Sequence, residues 1–170
     1  MILAVALLLA AGAAPLECPP GAERRGAPPP EDHAVWCELT GLDGRPLRHG
    51  PARTFYDDGT PWLEERYLDG QRDGHAVEYH RGGGKAREGS WVHGGKIGTW
   101  TIWFPDGTVE EESTWKDGVM NGPFLQRWPG GALRTTGRYC LGVQCGVWRS
   151  FDERGKEIGS IEYGEQRAEP

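Results

Sequence analysis

Aromatic and β-branched side chains alternate with polar ones in short runs along most of the chain, and glycines or Asp-Gly pairs separate the runs. The clearest example is segment 98–118, in which two such runs meet at Asp106 and Gly107. Two strand-like runs joined by an Asp-Gly dipeptide are typical of a β-hairpin with a two-residue turn. The pattern therefore predicts antiparallel strands.

The same hairpin pattern recurs every 24 residues. Four series of residues keep this step: an opening glycine, a turn glycine, a closing aromatic and a linker glycine. The series are Gly50, Gly74, Gly98, Gly122 and Gly146; Gly59, Gly83, Gly107, Gly131 and Gly155; Tyr67, Trp91, Trp115, Tyr139 and Tyr163; and Gly70, Gly94, Gly118 and Gly142. Several markers with one period indicate a repeat protein. We expect an all-β fold, an antiparallel β-meander of five hairpin repeats in an elongated twisted sheet. The expected repeats are 50–73, 74–97, 98–121, 122–145 and 146–170.

Two segments precede the predicted repeat domain, which spans residues 35–170. Residues 1–14 form an uninterrupted apolar run with small side chains at its end. A bilayer-spanning helix needs about 20 residues, so this run predicts a signal peptide, with a short buried apolar tail as the alternative. Residues 15–34 are rich in proline and glycine and predict an extended linker without packed elements. Residues 35–44 look like a degenerate half-repeat that caps the array.

A two-residue turn would set the strand register and decide which side chains share a face. In that register each opening glycine lies opposite the closing aromatic, and we expect the aromatic rings to cover these glycines. One face then forms the core, with the pairs Phe104–Val109, Trp128–Leu133 and Trp148–Ile161. The other face is mostly polar, with the pairs Phe55–Trp62, Phe151–Ile158, Trp103–Glu110 and Arg127–Arg134. A slip of one residue would exchange the two faces.

An aromatic strip on the polar face is the candidate binding site. It consists of Phe55, Trp62, Tyr79 and Trp103, and it runs across three adjacent hairpins that lie about 10 Å apart. Tryptophan and tyrosine are frequent binding anchors, so the strip could hold an extended peptide or a flat protein patch. Alternatively, these rings pack across strands or under the N-terminal segment. Arg127 and Arg134 interrupt the strip and would bound the site.

The charge balance bears on the partner. The chain has 170 residues with 27 glycines, eight tryptophans and a formal net charge of -6. This acidic balance disfavours nucleic acid and other anionic phosphate surfaces, and it favours a basic protein or a neutral ligand. Glu64, Glu88 and Glu112 recur at one repeat position of the polar face, where we expect them to be solvated.

Four cysteines in a chain with an export signal predict two disulfides. Cys140 and Cys145 flank a short connection between two hairpins, and their bridge would contribute about 2 kcal/mol of stability. Cys18 and Cys37 would tie the linker to the first strand, for about 3 kcal/mol. A zinc site is the alternative, but neither pair has the C-x-x-C spacing that zinc sites commonly use.

No combination of residues in the sequence forms a catalytic set. The five histidines occupy five different repeat positions, and no serine lies in a Gly-x-Ser-x-Gly motif. Residues 82–85, Gly-Gly-Gly-Lys, resemble a phosphate-binding loop only loosely, and they fall where the other repeats place a turn. We therefore expect a binding or structural module and not an enzyme, with no cofactor and no metal.

The repeat also resembles a known family. Segments 98–107 and 67–74 follow a Gly-x-Trp-x-x-Trp-Phe-x-x-Gly pattern and an aromatic-x-Asp-Gly pattern. These segments resemble the MORN-repeat variant of the YwqK-type antitoxin family, and the resemblance covers about residues 43–165. It implies an elongated antiparallel β-meander with a non-enzymatic, protein-binding activity of the antitoxin kind.

Together, these observations predict an exported, periplasmic or extracellular repeat module that binds another protein. A toxin and an envelope protein are the candidate partners, and no transmembrane segment remains after signal cleavage. Two alternatives stay open. The array could be a structural scaffold of the cell envelope, or it could bind membrane surfaces or glycans through exposed tryptophans.

Overall fold

The computed structural model describes residues 15–164, and the regular secondary structure of this part consists of β-strands. The strands are β1 (Glu23–Ala27), β2 (Ala34–Thr40), β3 (Pro46–Phe55), β4 (Pro61–Leu68), β5 (Gln71–Arg72), β6 (Gly74–Tyr79), β7 (Lys85–Val92), β8 (Gly95–Trp103), β9 (Val109–Lys116), β10 (Val119–Arg127), β11 (Leu133–Cys140), β12 (Val143–Phe151) and β13 (Glu157–Tyr163). The predicted signal segment lies outside the described residues. Within 15–164 no helix has the length and apolar character needed to cross a membrane.

All strands belong to one antiparallel sheet in which sequence neighbours pair. Only the two-residue strand β5 leaves this order, because it pairs with β4 alone. The sheet is open, with β1 at one edge and β13 at the other. The predicted all-β meander of hairpins is therefore confirmed.

The turn inside each repeat is longer than the sequence suggested. Phe104 N–H donates to the Thr108 carbonyl, and Gly107 N–H donates to the Phe104 carbonyl, both at 2.9 Å. Gly107 has a φ of 86°, so the loop is a type I turn followed by a left-handed residue. The predicted two-residue turn was wrong. In this repeat Pro105 has no N–H with which to close such a turn, and its φ suits a type I turn. Equivalent hydrogen bonds close the turns at Tyr56–Thr60, His80–Gly84, Trp128–Ala132 and Asp152–Lys156.

The longer turn shifts the register by one residue close to it. Away from the turns the predicted pairing holds, as in Gly50 opposite Tyr67 and Trp148 opposite Ile161. Next to the turns, a bulge places an extra residue on the second strand of each hairpin. The predicted pairs Phe104–Val109, Trp128–Leu133, Phe55–Trp62, Phe151–Ile158, Trp103–Glu110 and Arg127–Arg134 are therefore wrong. The observed partners are Trp103–Val109, Arg127–Leu133, Phe55–Pro61 and Phe151–Glu157.

The two-residue turns occur instead between consecutive repeats. Both central residues of each have positive φ, as type I′ turns require. These turns are Asp69–Gly70, His93–Gly94, Asp117–Gly118 and Leu141–Gly142. In each, the glycine N–H donates to a carbonyl 22 positions earlier, in the part of the chain before its own repeat. The pairs are Gly70 to Arg48, Gly94 to Arg72, Gly118 to Lys96 and Gly142 to Met120, at 2.8–2.9 Å. The tight turns therefore stack along one side of the sheet and set the spacing of the repeats.

The N-terminal segment is part of the sheet. Residues 15–34 were expected to be an extended linker, but they contain β1, which pairs with β2. Gly26 permits this pairing, because a Cβ there would lie 2.7 Å from the Trp36 ring. The charged residues of β1 suit a sheet edge, where they disfavour pairing with another chain. The predicted Cys18–Cys37 disulfide is present and ties this segment to β2.

Strand alternation gives the sheet two faces, which we name by their aromatic residues. The ring face carries the closing aromatics and the buried Trp100 and Trp148. The strip face carries Phe55, Tyr79 and Trp103. Buried hydrophobic side chains lie on both faces: Val35, Cys37, Ala52, Ala76, Val77, Trp100, Cys145 and Trp148.

Candidate functional site

Two indole rings on the ring face lie directly on glycines of the neighbouring repeat. A Cβ on Gly89 would lie 2.2 Å from Cδ2 of Trp100, and a Cβ on Gly137 would lie 2.2 Å from Cδ2 of Trp148. The Trp100 indole N–H donates to the Ser90 carbonyl at 3.2 Å, and the Trp148 indole N–H bonds equivalently to Arg138 at 3.1 Å. The rings therefore join one repeat to the next.

The predicted covering of opening glycines by closing aromatics was wrong. Each closing aromatic lies opposite an opening glycine in the strand register, but a Cβ on Gly98 or Gly146 would meet no atom within 4 Å. Gly98 and Gly146 have φ values of 66° and 65°. These two glycines are needed for the backbone conformation and not for ring contact.

Where two repeats meet on the ring face, a large residue of one repeat lies against a small residue of the other. Trp100 and Trp148 lie on glycines, and Phe124 pairs with Ser113. The first two repeats differ, because their equivalent residues are Ala52 and Ala76. Ala52 lies opposite Trp36. Extending the β4–β6 register by one residue from the Glu64–Val77 pair places Glu65 opposite Ala76. With alanine in place of a ring, a cavity of about 250 Å³ opens beside Trp91 and Trp100.

Two ion pairs line this cavity. Glu65, which is only 7% exposed, accepts hydrogen bonds from Arg72 Nε at 2.6 Å and from the Tyr67 hydroxyl at 2.7 Å. Burial, together with the Glu65 carboxylate, raises the pKa of Tyr67. Arg87 pairs with Glu78 in the same way. These carboxylates are therefore neutralised by their own arginines.

Cations at one repeat position lie against the closing aromatics. The Arg48 guanidinium lies 5.2 Å from the Trp36 ring centroid and 5.3 Å from that of Tyr67. The Arg72 guanidinium lies 5.3 Å from the Trp91 ring centroid. Distances of this size are typical of cation–π contacts. The same position holds Lys96, Met120 and Gln144 in the later repeats. The N-terminal half of the ring face is therefore cationic and aromatic.

Lys96 has the most aromatic surroundings of these cations. Its ammonium lies 4.4 Å from the ring centroids of Trp100 and Trp115 and 5.8 Å from that of Trp91. Burial and the nearby Arg87 lower the pKa of Lys96, against the opposing effect of Glu111. Among residues 15–164, no carboxylate lies within 4 Å of the Lys96 ammonium and no group accepts a hydrogen bond from it.

The strip face brings together three of the four predicted binding residues. Phe55, Tyr79 and Trp103 occupy the same repeat position on β3, β6 and β8, and each is partly buried. Trp62 is instead the extra residue of the bulge in β4, and its ring centroid lies 6.3 Å from that of Tyr56 in the hairpin turn. The fourth hairpin places Arg127 at the strip position, as predicted.

Charged groups surround the strip. Glu64 pairs with Arg53 Nε at 2.7 Å and accepts a hydrogen bond from the Tyr79 hydroxyl at 3.1 Å. Glu88 pairs with Lys85 at 2.7 Å and with His75 at 2.8 Å. The hydrogen bond from Lys85 lowers the pKa of Glu88. Glu64 and Glu88 were expected to be simply solvated, but they are held in ion pairs beside the aromatic strip.

The predicted Cys140–Cys145 disulfide is also present. It spans the type I′ turn between β11 and β12, and its Cα atoms lie 5.8 Å apart. Over residues 15–164 no cysteine is free, and no three metal-ligating side chains come together. The four cysteines of the sequence are therefore all used in bridges.

Sequence reasoning missed the ring-face cavity and the cations beside it. The signal was present as a further series with the 24-residue step, namely Arg48, Arg72, Lys96, Met120 and Gln144. The cavity itself depends on Ala76, at a position where the last three repeats have Trp100, Phe124 and Trp148. An alanine at such a position is too common in sequences to indicate a binding site.

Comparison with known proteins supports the repeat assignment. A family model described as a MORN repeat variant matches residues 48–69 and 96–117. A search of curated proteins finds no match to the chain. Each matched segment runs from a ring-face cation to a type I′ turn, and the two lie 48 residues, or two repeats, apart. The chain thus contains MORN-variant repeats at β3–β4 and β8–β9, within an array whose other hairpins share the same turns.

Proposed function

We propose that this protein is a non-catalytic repeat module that binds another protein through the strip face. The observation that carries the proposal is the alignment of Phe55, Tyr79 and Trp103 at one position of three consecutive hairpins. The sheet spacing puts neighbouring strip residues about 10 Å apart, which suits an extended segment or a flat patch of a partner. The match to MORN-variant repeats supports a repeat-based binding module.

The surroundings of the strip favour a polypeptide partner. Partly buried aromatic rings next to fixed ion pairs give both apolar contact area and hydrogen-bonding groups, as protein interfaces commonly do. The Arg53–Glu64 and Lys85–Glu88 pairs flank the strip and would orient a partner. Because these ion pairs lie beside the rings and not at the centre of the contact, they would keep their water when the partner binds. Arg127 replaces the aromatic residue in the fourth hairpin and would limit the site on that side.

We further propose that the protein acts in an oxidising compartment outside the cytoplasm. Two disulfides support this location, because cytosolic reductants keep most thiols reduced. The apolar segment 1–14 is the sequence feature that would direct export. By the resemblance to YwqK-type antitoxins a toxin is the first partner class to test, and an envelope protein is the second.

Affinity capture from the native envelope fraction tests this proposal. The exported protein is compared with Trp103→Arg, which copies the residue that the fourth hairpin carries at Arg127 and is therefore expected to fold. Trp62→Ser is the matched control, since Trp62 is an exposed aromatic residue outside the strip. Loss of a reproducibly captured protein with Trp103→Arg, but not with Trp62→Ser, is the expected result. Capture that survives Trp103→Arg would contradict the proposed site.

A further inference from the structure

We propose that the ring-face cavity is a second binding site, on the face of the sheet opposite the strip, which takes up a carboxylate side chain of a polypeptide ligand beside Lys96. The inference goes beyond the proposed function, because the strip and the cavity lie on opposite faces of the sheet. Its basis is a hollow of about 250 Å³ with an ammonium group that forms no ion pair and no hydrogen bond within residues 15–164.

The hollow exists because one repeat departs from the packing rule of the ring face. At the other contacts between consecutive repeats, Trp100, Phe124 and Trp148 fill the equivalent space. Ala76 leaves it open, and the buried Glu65 lies opposite with its carboxylate held by Arg72. The shape is therefore built by strands of the sheet and not by mobile loops.

The charges of the cavity favour an anion. Three cations line it, but Arg72 and Arg87 are each paired with a carboxylate. Lys96 lies against three rings and is attracted by Glu111, but no carboxylate comes within 4 Å of its ammonium and its N–H donors have no acceptor among the described residues. A charged group in such partly buried surroundings gains from a charge-assisted hydrogen bond. A carboxylate of the ligand would provide the missing acceptor.

The same cavity disfavours the other ligand classes. The Trp100 ring lies on Gly89 and has Lys96 4.4 Å from its centroid, while Trp91 has Arg72 against it. The ring faces that a sugar would need are therefore already used by the protein. A phosphate dianion would bring a second negative charge close to Glu65 and Glu78. A singly charged carboxylate fits the one unpaired ammonium best.

The test uses the exported, disulfide-bonded protein and a capped peptide whose only charged residue is a glutamate. The same peptide with glutamine in place of the glutamate, and a capped phosphoserine peptide, serve as comparison ligands. Binding is followed by NMR through the indole N–H signals of Trp91 and Trp100. We expect saturable shifts with the glutamate peptide, and binding weaker by about tenfold or more with the glutamine peptide, as loss of a charge-assisted hydrogen bond predicts.

The key variant is Lys96→Met, because Met120 occupies the equivalent position in the next repeat and shows that the fold accepts it. Lys116→Met, at an exposed lysine, is the control. Lys96→Met should lose the glutamate-dependent shifts and Lys116→Met should keep them. If Lys96→Met does not fold, Glu65→Ser with Ala76→Phe fills the cavity by copying the Ser113–Phe124 pair and should also abolish binding.

Several results would overturn the inference. These are equal binding of the glutamate and glutamine peptides, absence of binding to either, tighter binding of the phosphoserine peptide, and unchanged binding by Lys96→Met. The inference and the proposed function fail separately. If Trp103→Arg abolishes capture while Lys96→Met leaves the binding of the glutamate peptide unchanged, the strip-face function stands and the carboxylate site is refuted.

Discussion

The Trp100 indole lies on Gly89 so closely that a single methyl group there would overlap the ring. Two repeats later Trp148 lies on Gly137 with the same geometry and an equivalent indole hydrogen bond. These contacts are the most deeply buried aromatic contacts of the ring face, and they connect successive hairpins of a sheet that has only one layer. The stability of the array should therefore depend on them.

Gly89→Ala should destabilise the protein by about 1–3 kcal/mol, the usual cost of overpacking a tight contact. Gly159→Ala is the matched control, because Gly159 also lies in a strand but its added Cβ would meet nothing within 4 Å. Urea denaturation of both variants measures the difference. Equal midpoints for the two variants would show that the Trp100–Gly89 contact does not limit the packing.

Substitutions at two neighbouring glycines in one hairpin turn distinguish the effect of backbone conformation on stability from the effect of packing. A Cβ on Gly83 or on Gly84 would meet nothing within 4 Å, but only Gly83 has a positive φ, of 82°. Gly83→Ala should therefore cost about 1 kcal/mol, whereas Gly84→Ala should be neutral or slightly stabilising. Thermal unfolding measures both changes, and a loss of stability with Gly84→Ala alone would contradict the turn assignment.

The two disulfides should contribute unequally. Loss of Cys18–Cys37, which closes the longer loop, should cost about 3 kcal/mol, and loss of Cys140–Cys145 should cost about 2 kcal/mol. The double serine variants of each pair, compared in urea, give these values. Mass spectrometry of non-reduced peptides from exported protein should find both pairs linked, and free thiols at either pair would refute the bridge concerned.

Two glutamates should show opposite pH dependence. Lys85 holds the pKa of Glu88 below its ordinary value, so the stability that Glu88 contributes is present above the ordinary carboxyl pKa and is lost as the pH falls below it. Burial raises the pKa of Glu111, so its favourable contribution is complete below the ordinary pKa and is lost as the pH rises through the folded value.

Glutamine substitutions measure this contrast. Glu88→Gln should destabilise the protein at pH 7, with an effect that shrinks in acid as the carboxylate of Glu88 is protonated. Glu111→Gln should be neutral or stabilising at pH 7, because it removes a half-buried charge. Denaturation curves over pH 3–7 for both variants test the signs. The same trend for both would mean that their surroundings are not as different as the structure indicates.

The sequence by itself determined the five repeat hairpins, their order, the all-β class and the pairing of the cysteines, but not the N-terminal strand β1. Each of these depends on residues that are close in the chain or that recur with the 24-residue step. The opening glycines lie opposite the closing aromatics as predicted, because strand alternation transmits the register over the length of a hairpin. The same alternation placed Trp148 and Ile161 on one face and Phe55, Tyr79 and Trp103 on the other, but it failed at Phe104 and Trp128, which lie in turns, and at Trp62, which lies in a bulge.

Only the tertiary structure decided which turns are tight, how the repeats meet and where the cavity lies. The tight turns join repeats because their glycine N–H groups bond to the preceding repeat, as Gly118 does to Lys96. The rings cover Gly89 and Gly137, and Ala76 leaves a hollow, because each of these positions meets a strand of another repeat. Such contacts depend on how two hairpins pair side by side, and local sequence patterns carry little information about that pairing.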